Sequence, residues 1–242
     1  TLMGREDLIR FLPDLIYHQD EPIADPVCVP LYYVCKLAKD NGTSVVQVGE
    51  GADELFGGYW HWQAVLRLNQ GPWQVFGGLP SWAKQLTLQL SRPMMNDLRM
   101  EYLRRGVAGE ELFWGGAIAF GEEGKREILT DETLSRIGDL SSYEIVQNYR
   151  SNFDDRCPNP DYLKWMSYLD LHMRLPELLL MRVDKMSMAT SVEARVPFLD
   201  HEFVQLVMSI SQSQKMPGLR TKHLLKQGVQ GLIPDHIINR KK

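Results

Sequence analysis

Residues 45–59 read VVQVGEGADELFGGY and carry the strongest structural signal in the chain. Residues 45–48 are rich in β-branched side chains and lie between Asn41-Gly42 and Gly49, which predicts a buried strand of a parallel sheet. In open α/β sheets, ligands bind just beyond the carboxyl ends of the strands, at the turn that follows. We therefore expect a binding site in the turn that begins at Gly49.

Acidic residues dominate this turn, at Glu50, Asp53 and Glu54. Glycines at 49 and 51 allow close approach of the backbone to a ligand, and the N–H groups of a helix start favour anions. A carboxylate repels a phosphate unless a metal lies between them, and Mg²⁺ prefers carboxylate and phosphate oxygens. The turn thus fits a magnesium-bridged phosphate site. The alternative is that the acids only stabilise the first turn of a helix.

A second motif lies far from the first, where residues 182–189 read RVDKMSMA and residues 191–200 read SVEARVPFLD. Together with residues 49–59, this motif resembles the signature of the glutamine-dependent asparagine synthetases. The resemblance runs from about residue 20 to residue 242 and is weakest in the middle. It implies a mostly helical fold around a small parallel β remnant, the C-terminal part of an α/β domain of the ATP pyrophosphatase (adenine nucleotide α-hydrolase-like) type.

The resemblance also implies how the chain is divided. Residues 1–60 would end the nucleotide-binding α/β core, and residues 61–242 would form a helical part. Helical periods dominate from Trp60 onward and strand signals nearly vanish. An earlier helical period, in residues 4–17, should be interrupted at Pro13, because proline lacks a backbone N–H.

The family resemblance implies a ligase that forms a carbon–nitrogen bond. In this family, ATP activates the side-chain carboxylate of aspartate as an acyl-adenylate, with Mg²⁺ and release of pyrophosphate. Ammonia, made from glutamine in a separate glutaminase domain, then displaces AMP. Other members amidate cell-surface sugar or peptide acids. Relatives that close lactam rings carry a different residue at the position of Glu50, so the glutamate here favours ammonia as the nucleophile.

The resemblance assigns roles to the residues of the first motif. Glu50 matches the position implicated in amide formation, where it would accept a proton from the attacking nitrogen. Asp53 matches the acid that reaches Mg²⁺ and pyrophosphate. Val48, Gly49 and Gly51 match the segment whose backbone lies against the nucleotide, and many members have serine at the first of these positions.

Two lysines match those that the family uses around pyrophosphate and the intermediate. They are Lys222, within RTKHLLK at 220–226, and Lys242, at the end of INRKK at 238–242. Lysine suits this task as a compact charge on a flexible stem. The alternative is that Lys222 and Lys226 form a solvated helix face.

The second motif holds charged residues in an otherwise apolar region. Because buried charges persist only when paired, we expect Arg182 to pair with Asp184 and Glu193 with Arg195, in networks that position the site.

Composition limits the other function classes. The formal net charge of −4 gives no sign of the basic surface that nucleic-acid binding requires. No apolar run is long enough to span a membrane. Cys28, Cys35 and Cys157 fit reduced thiols better than a disulfide framework. We expect a cytoplasmic protein with small-molecule substrates and no nucleic-acid or membrane partner, and a homodimer is left open.

Two family parts are missing from this stretch: the Ser-Gly-Gly-x-Asp-Ser loop that grips pyrophosphate, and the N-terminal cysteine of the glutaminase domain. The chain also starts at Thr1 rather than at methionine. We expect a fragment that alone neither binds ATP well nor forms an amide. The competing hypotheses are a non-catalytic helical scaffold and a nucleotide-binding regulatory domain. The missing loop disfavours the regulatory domain.

Overall fold

The computed structural model describes residues 4–23, 25–92, 97–138 and 140–240. Its α-helices are α1 Arg5–Gln19, α2 Cys28–Asp40, α3 Ala52–Phe56, α4 Trp60–Gln70, α5 Pro72–Gly77, α6 Ser81–Ser91, α7 Asp97–Ala108, α8 Glu122–Ile128, α9 Asp131–Ile137, α10 Tyr143–Arg156, α11 Tyr162–His172, α12 Met181–Met188, α13 His201–Ser209, α14 Gln212–Lys215, α15 His223–Gly228 and α16 Asp235–Ile238. A π-helical segment, Leu175–Leu180, leads directly into α12, and 3₁₀ turns cover Pro197–Leu199 and Pro217–Leu219. The strands are β1 Val45–Gln47 and β2 Glu193–Arg195.

The chain packs as two compact units. The first comprises residues 1–52 and 171–207, and the second comprises residues 53–170 and 208–242. The predicted fold class, mostly helical with a small parallel sheet, is confirmed. The predicted division between residues 60 and 61 stays a prediction.

Helices α1, α2 and α12 form the helical core of the first unit. Phe11, Cys28, Val29 and Met186 are buried together, and the ring of Phe11 stacks on Tyr32 with centroids 4.0 Å apart. Apolar residues at helical spacing on α1 and α2 supply this face, and its burial is what holds the helices together. The cysteines of the chain are free thiols.

The two strands pair in parallel, with Val45 opposite Glu193 and Gln47 opposite Arg195. The predicted strand at residues 45–48 is therefore present, but its predicted burial is wrong, since Val45 remains 41% exposed. A strand is buried only when layers cover both faces of its sheet, and the described residues of the first unit leave these faces open.

Helix α1 also corrects a prediction, because it continues through Pro13 instead of breaking there. Proline removes the hydrogen bond to the carbonyl four residues earlier, that of Ile9. Both residues lie on the outer side of α1, where Pro13 is exposed and Ile9 is 57% exposed. Water can therefore satisfy the freed carbonyl, and the helix continues.

The second unit is built around buried aromatic residues. Trp62 and Trp165 are fully buried, and the ring of Trp62 meets Phe113 edge-on with centroids 5.6 Å apart. The helical prediction from Trp60 onward is confirmed by α4, whose buried face includes Trp62. The end of the first motif contacts this core, because the ring of Tyr59 lies 5.5 Å from that of Trp62.

Candidate functional site

The turn after β1 belongs to the first unit and begins with a hydrogen bond from the N–H of Val48 to the carbonyl of Arg195, at 2.8 Å. Gly51 has a φ of +90°, and a Cβ there would lie 2.3 Å from Leu199 Cδ2, so only glycine fits. A Cβ at Gly49 would meet nothing within 4 Å among the described residues. The backbone at Gly49 is therefore open to a ligand.

Glu50 is held by a buried arginine. Arg182, 8% exposed, donates from Nη2 to Glu50 Oε1 at 3.1 Å and from Nη1 to Asp25 Oδ2 at 2.5 Å. Burial disfavours the charge on Arg182, but hydrogen bonds and attraction from Asp25 and Glu50 outweigh it and raise its pKa above the ordinary value. The guanidinium thus fixes the Glu50 carboxylate in one orientation.

The predicted pairing of Arg182 with Asp184 is wrong. Residues two apart on a helix do not face each other, and Asp184 lies exposed on α12 while Arg182 points inward. The predicted pair of Glu193 and Arg195 is present at 2.7 Å, because residues two apart on a strand share one face. Both side chains are more than half exposed, so this pair contributes little stability.

In the second unit, the structure brings together Asp53 and Lys222, whose Oδ1 and Nζ atoms lie 2.7 Å apart. Lys222 has a φ of 52° and a ψ of 26°, the left-handed conformation that residues other than glycine seldom adopt. Such a residue costs about 1–3 kcal/mol and persists only where its surroundings fix it. Here its N–H donates to the carbonyl of Phe56 at 3.1 Å, which fixes the backbone.

The glycine pair of the first motif leaves room for this contact. A Cβ at Gly58 would lie 1.7 Å from Asp53 Oδ1 and 2.4 Å from Lys222 Cε. Gly57 has a φ of +61°, and a Cβ there would lie 2.1 Å from Met216 Sδ. Gly57 is therefore required by its backbone conformation, and Gly58 leaves the space in which the side chains of Asp53 and Lys222 meet.

Glu54, the third acid of the motif, is buried and forms hydrogen bonds within the second unit. It is 1% exposed and accepts a hydrogen bond from the hydroxyl of Tyr59 at 2.5 Å. Its backbone carbonyl accepts from Ser167 Oγ at 2.7 Å. These contacts tie the motif to the core of the second unit.

Other predicted site residues divide between the units or fall outside the description. Val48, Gly49, Glu50 and Gly51 lie in the first unit, and Lys242 lies outside the described residues. Among the residues that the structure describes, no cluster of three or more histidine, cysteine or acidic residues could hold a metal. Asp53 offers one carboxylate, which fits a Mg²⁺ ion that takes its other ligands from phosphate and water.

Sequence reasoning missed two elements of this arrangement. Asp25, the second acid on Arg182, lies in a loop of acids and prolines before α2 and gave no helical or strand signal. Strand β2 was missed as well. The alternation of Val192, Ala194 and Val196 with charged residues has the period of a strand and was its one available signal.

Comparison with known families identifies the class of protein to which these motifs belong. The sequence model of the family described as Asparagine synthase matches residues 1–242. The chain therefore belongs to the asparagine synthase family, as its motifs predict.

Individual relatives are similar along the whole chain. Asparagine synthetase [glutamine-hydrolyzing] 1 of Bacillus subtilis is 35% identical over 243 residues, which are 100% of this chain and 36% of that protein. A putative asparagine synthetase [glutamine-hydrolyzing] of Mycobacterium tuberculosis is 29% identical over 100% of this chain and 35% of its own length. The amidase chyE of Penicillium rubens is 24% identical over 98% of this chain and 37% of its own length. The chain thus spans about a third of the length of the curated relatives that it matches.

The helices of the described residues also bear on membrane insertion. None of the helices found there has the length and apolar character needed to cross a bilayer.

Proposed function

We propose that the protein carrying this chain amidates a carboxylate at the expense of ATP, through an acyl-adenylate, with release of AMP and pyrophosphate. Aspartate is the proposed acceptor, and glutamine hydrolysed in a separate glutaminase domain is the proposed source of ammonia. Mg²⁺, when bound, would screen the phosphate charges. A cytoplasmic location is part of the same proposal.

The contact between Asp53 and Lys222 carries this proposal. A motif acid and a motif lysine meet at 2.7 Å, beside a required glycine and on a strained backbone. Strain of this kind is typical of functional sites, where surrounding structure holds an unfavourable conformation. Membership of the asparagine synthase family supplies the reaction that such a pair would serve.

Arg182 supports a separate role for Glu50. A carboxylate held by a buried guanidinium keeps one orientation, which is what a proton acceptor for an attacking amine needs. In the proposed reaction Glu50 acts after activation of the acid, whereas Asp53 and Lys222 act on the phosphates during activation.

A second candidate is amidation of a carboxylate other than that of aspartate. Relatives with another name, the amidases of Penicillium rubens and Gibberella zeae, also match nearly the whole chain, at 24% and 22% identity, so similarity to this chain is not confined to proteins named asparagine synthetase. The same motif residues would serve either acceptor.

The test is carboxylate-dependent exchange of labelled pyrophosphate into ATP by the full-length protein, over a panel with aspartate, a sugar acid and a peptide acid. We expect exchange with aspartate, and a loss of about 100-fold in Asp53→Asn, because the carboxylate acts on the reacting phosphates. Asp155→Asn is the matched control: this acid is exposed on α10 and forms no ion pair among the described residues.

Each outcome of the exchange assay decides between candidates. Exchange with another acid but not with aspartate selects the second candidate. Absence of exchange with every acid would leave a non-catalytic scaffold as the better account. Equal losses in Asp53→Asn and Asp155→Asn would remove Asp53 from the site.

A further inference from the structure

A cleft of about 830 Å³ opens beside Lys222 in the second unit. Residues 58–60 and Gln63 line one part of it, and the rest is lined by Thr221, Lys222, Lys226 and residues 237–240. It lies next to the contact of Asp53 with Lys222, because Gly58 and Lys222 belong to both.

The charge of this cleft is unbalanced. Its cationic side chains are Lys222, Lys226 and Arg240, and among the described residues that line it none is acidic. Lys222 is neutralised by Asp53. Lys226 and Arg240 form no ion pair within the part of the chain that the structure describes.

Two of these cations stand close together at the start of α15. The N–H of Lys226 donates to the carbonyl of Lys222, the residue before the helix, at 2.9 Å, and both lysines line the cleft. Like charges at this spacing repel each other. A cleft walled by cations without acids therefore has a positive potential and attracts anions.

The neutral lining adds hydrogen-bonding groups and one large ring. Thr221, Asn239 and Gln63 supply polar side chains, and Trp60, 78% exposed, supplies an aromatic wall. Arginine matches a carboxylate or a phosphate with two parallel N–H donors, and lysine adds a point charge. The lining therefore has the composition of a site for an oxyanion.

We propose that Lys226 and Arg240 form an oxyanion-binding subsite beside Lys222. It holds an anionic group of a reactant, either a phosphate or the non-reacting carboxylate of the acyl acceptor. This inference rests on the proposed function and adds two residues that the motifs did not assign.

The experiment compares the full-length wild-type protein with Lys226→Met and Arg240→Met. Lys226→Arg and Arg240→Lys keep the charge, and Lys84→Met removes a lysine of α6 that lies outside the cleft. Pyrophosphate exchange gives the KM for pyrophosphate and for each acid. Equilibrium titration with inorganic pyrophosphate, and separately with aspartate, gives binding without turnover.

If the subsite holds a phosphate, the KM and the Kd for pyrophosphate rise about 10-fold in both methionine variants, as expected for loss of one charge-assisted hydrogen bond. If it holds a carboxylate, the KM rises by a similar factor only for acids with a second carboxylate. The charge-keeping variants recover most of the loss, and Lys84→Met matches the wild type.

Changes within twofold of Lys84→Met, with wild-type exchange intact, would overturn the subsite and leave the proposed function standing. If the wild type shows no exchange, the proposed function fails and the titrations still decide the subsite. Anion binding that the methionine variants do not weaken, or no binding of either anion, then overturns it.

Discussion

The motif acids Glu50 and Asp53, one in each unit, are held by different cations. In the first unit, the guanidinium of Arg182 bridges two carboxylates, those of Asp25 and Glu50. In the second unit, Lys222 holds one carboxylate, and Lys215 is fully buried with no hydrogen-bond partner for Nζ among the described residues. A guanidinium keeps its charge and a fixed fork, whereas an ammonium group changes partners and loses its proton more readily.

The contrast suits the two proposed tasks. A proton acceptor works best in one fixed place, and Glu50 has the arginine that fixes it. A site that admits phosphates must release its internal contacts when they arrive, and a single lysine contact such as that of Lys222 with Asp53 is easily exchanged. Variants of Glu50, Arg182, Lys215 and Gly58 test whether the charges around Glu50 are rigidly held and those of the second unit are adaptable.

The largest expected effect is that of Glu50→Gln in the full-length protein. Glutamine keeps the size of the side chain and an oxygen that accepts from Arg182, but it does not take a proton. Amide formation should fall about 1,000-fold, within the range for loss of a general base, while pyrophosphate exchange stays near wild type. Glu202→Gln, at an exposed acid of α13, is the control. Equal loss of both activities would place Glu50 in the activation step.

Removal of the arginine tests the rigidity of the first unit. Arg182→Met leaves Asp25 and Glu50 without their cation, and we expect a loss of about 3 kcal/mol in stability, as for other broken buried ion pairs. The melting transition measures it, with Arg10→Met at an exposed position of α1 as the control.

A double variant identifies the cause of that loss. Adding Asp25→Asn to Arg182→Met removes one of the two facing carboxylates, so the double variant should be more stable than Arg182→Met alone. If it is less stable, the arginine acts mainly through packing, and the comparison between the units loses its basis.

Only part of the fold and of the candidate site could be predicted from the sequence, for physical reasons. The β1 prediction succeeded because β-branched residues between glycines are a local signal. The partners of Arg182 lie 157 and 132 positions away, so no local spacing reveals them, and the neighbour at 184 was the wrong choice. The role of Lys222 was assigned only through the family resemblance, whereas Asp53 also belongs to the acidic turn. Strand β2 forms because β1 pairs with it. Burial of β1 depends on covering layers that residue types alone do not report.

In the second unit, the buried Lys215 should make the stability of the fold depend on pH. Burial lowers its pKa from 10.5 to about 8, against a smaller opposing attraction from Asp161. The folded protein therefore disfavours the charged form, and below pH 8 the lysine destabilises the fold. Lys215→Met should raise stability by about 2 kcal/mol at pH 7.

The lowered pKa of Lys215 sets the pH range in which the lysine destabilises the fold. As pH rises from about 8 to 10.5, the lysine loses its proton in the folded state and then in the unfolded state, so its cost disappears. Melting curves of Lys215→Met should approach those of the wild type over this range, while Lys84→Met shows no such trend. A gain that is constant with pH would mean that the pKa of Lys215 is the same in the folded and unfolded states, and that burial does not lower it.

The smallest expected effect on stability is that of Gly58→Ala. This variant tests whether the contact of Asp53 with Lys222 serves the chemistry or the stability of the second unit. In Gly58→Ala the new Cβ displaces Asp53 Oδ1 and Lys222 Cε, which are ends of movable side chains, so stability should fall by only about 1 kcal/mol. Exchange should fall about 10-fold, because the pair is moved from the reacting phosphates. Gly77→Ala, where a Cβ meets nothing within 4 Å, is the control. A variant that melts early but exchanges normally would show that the pair supports the fold rather than the chemistry. The second unit would then hold its charges for stability, as the first does with Arg182.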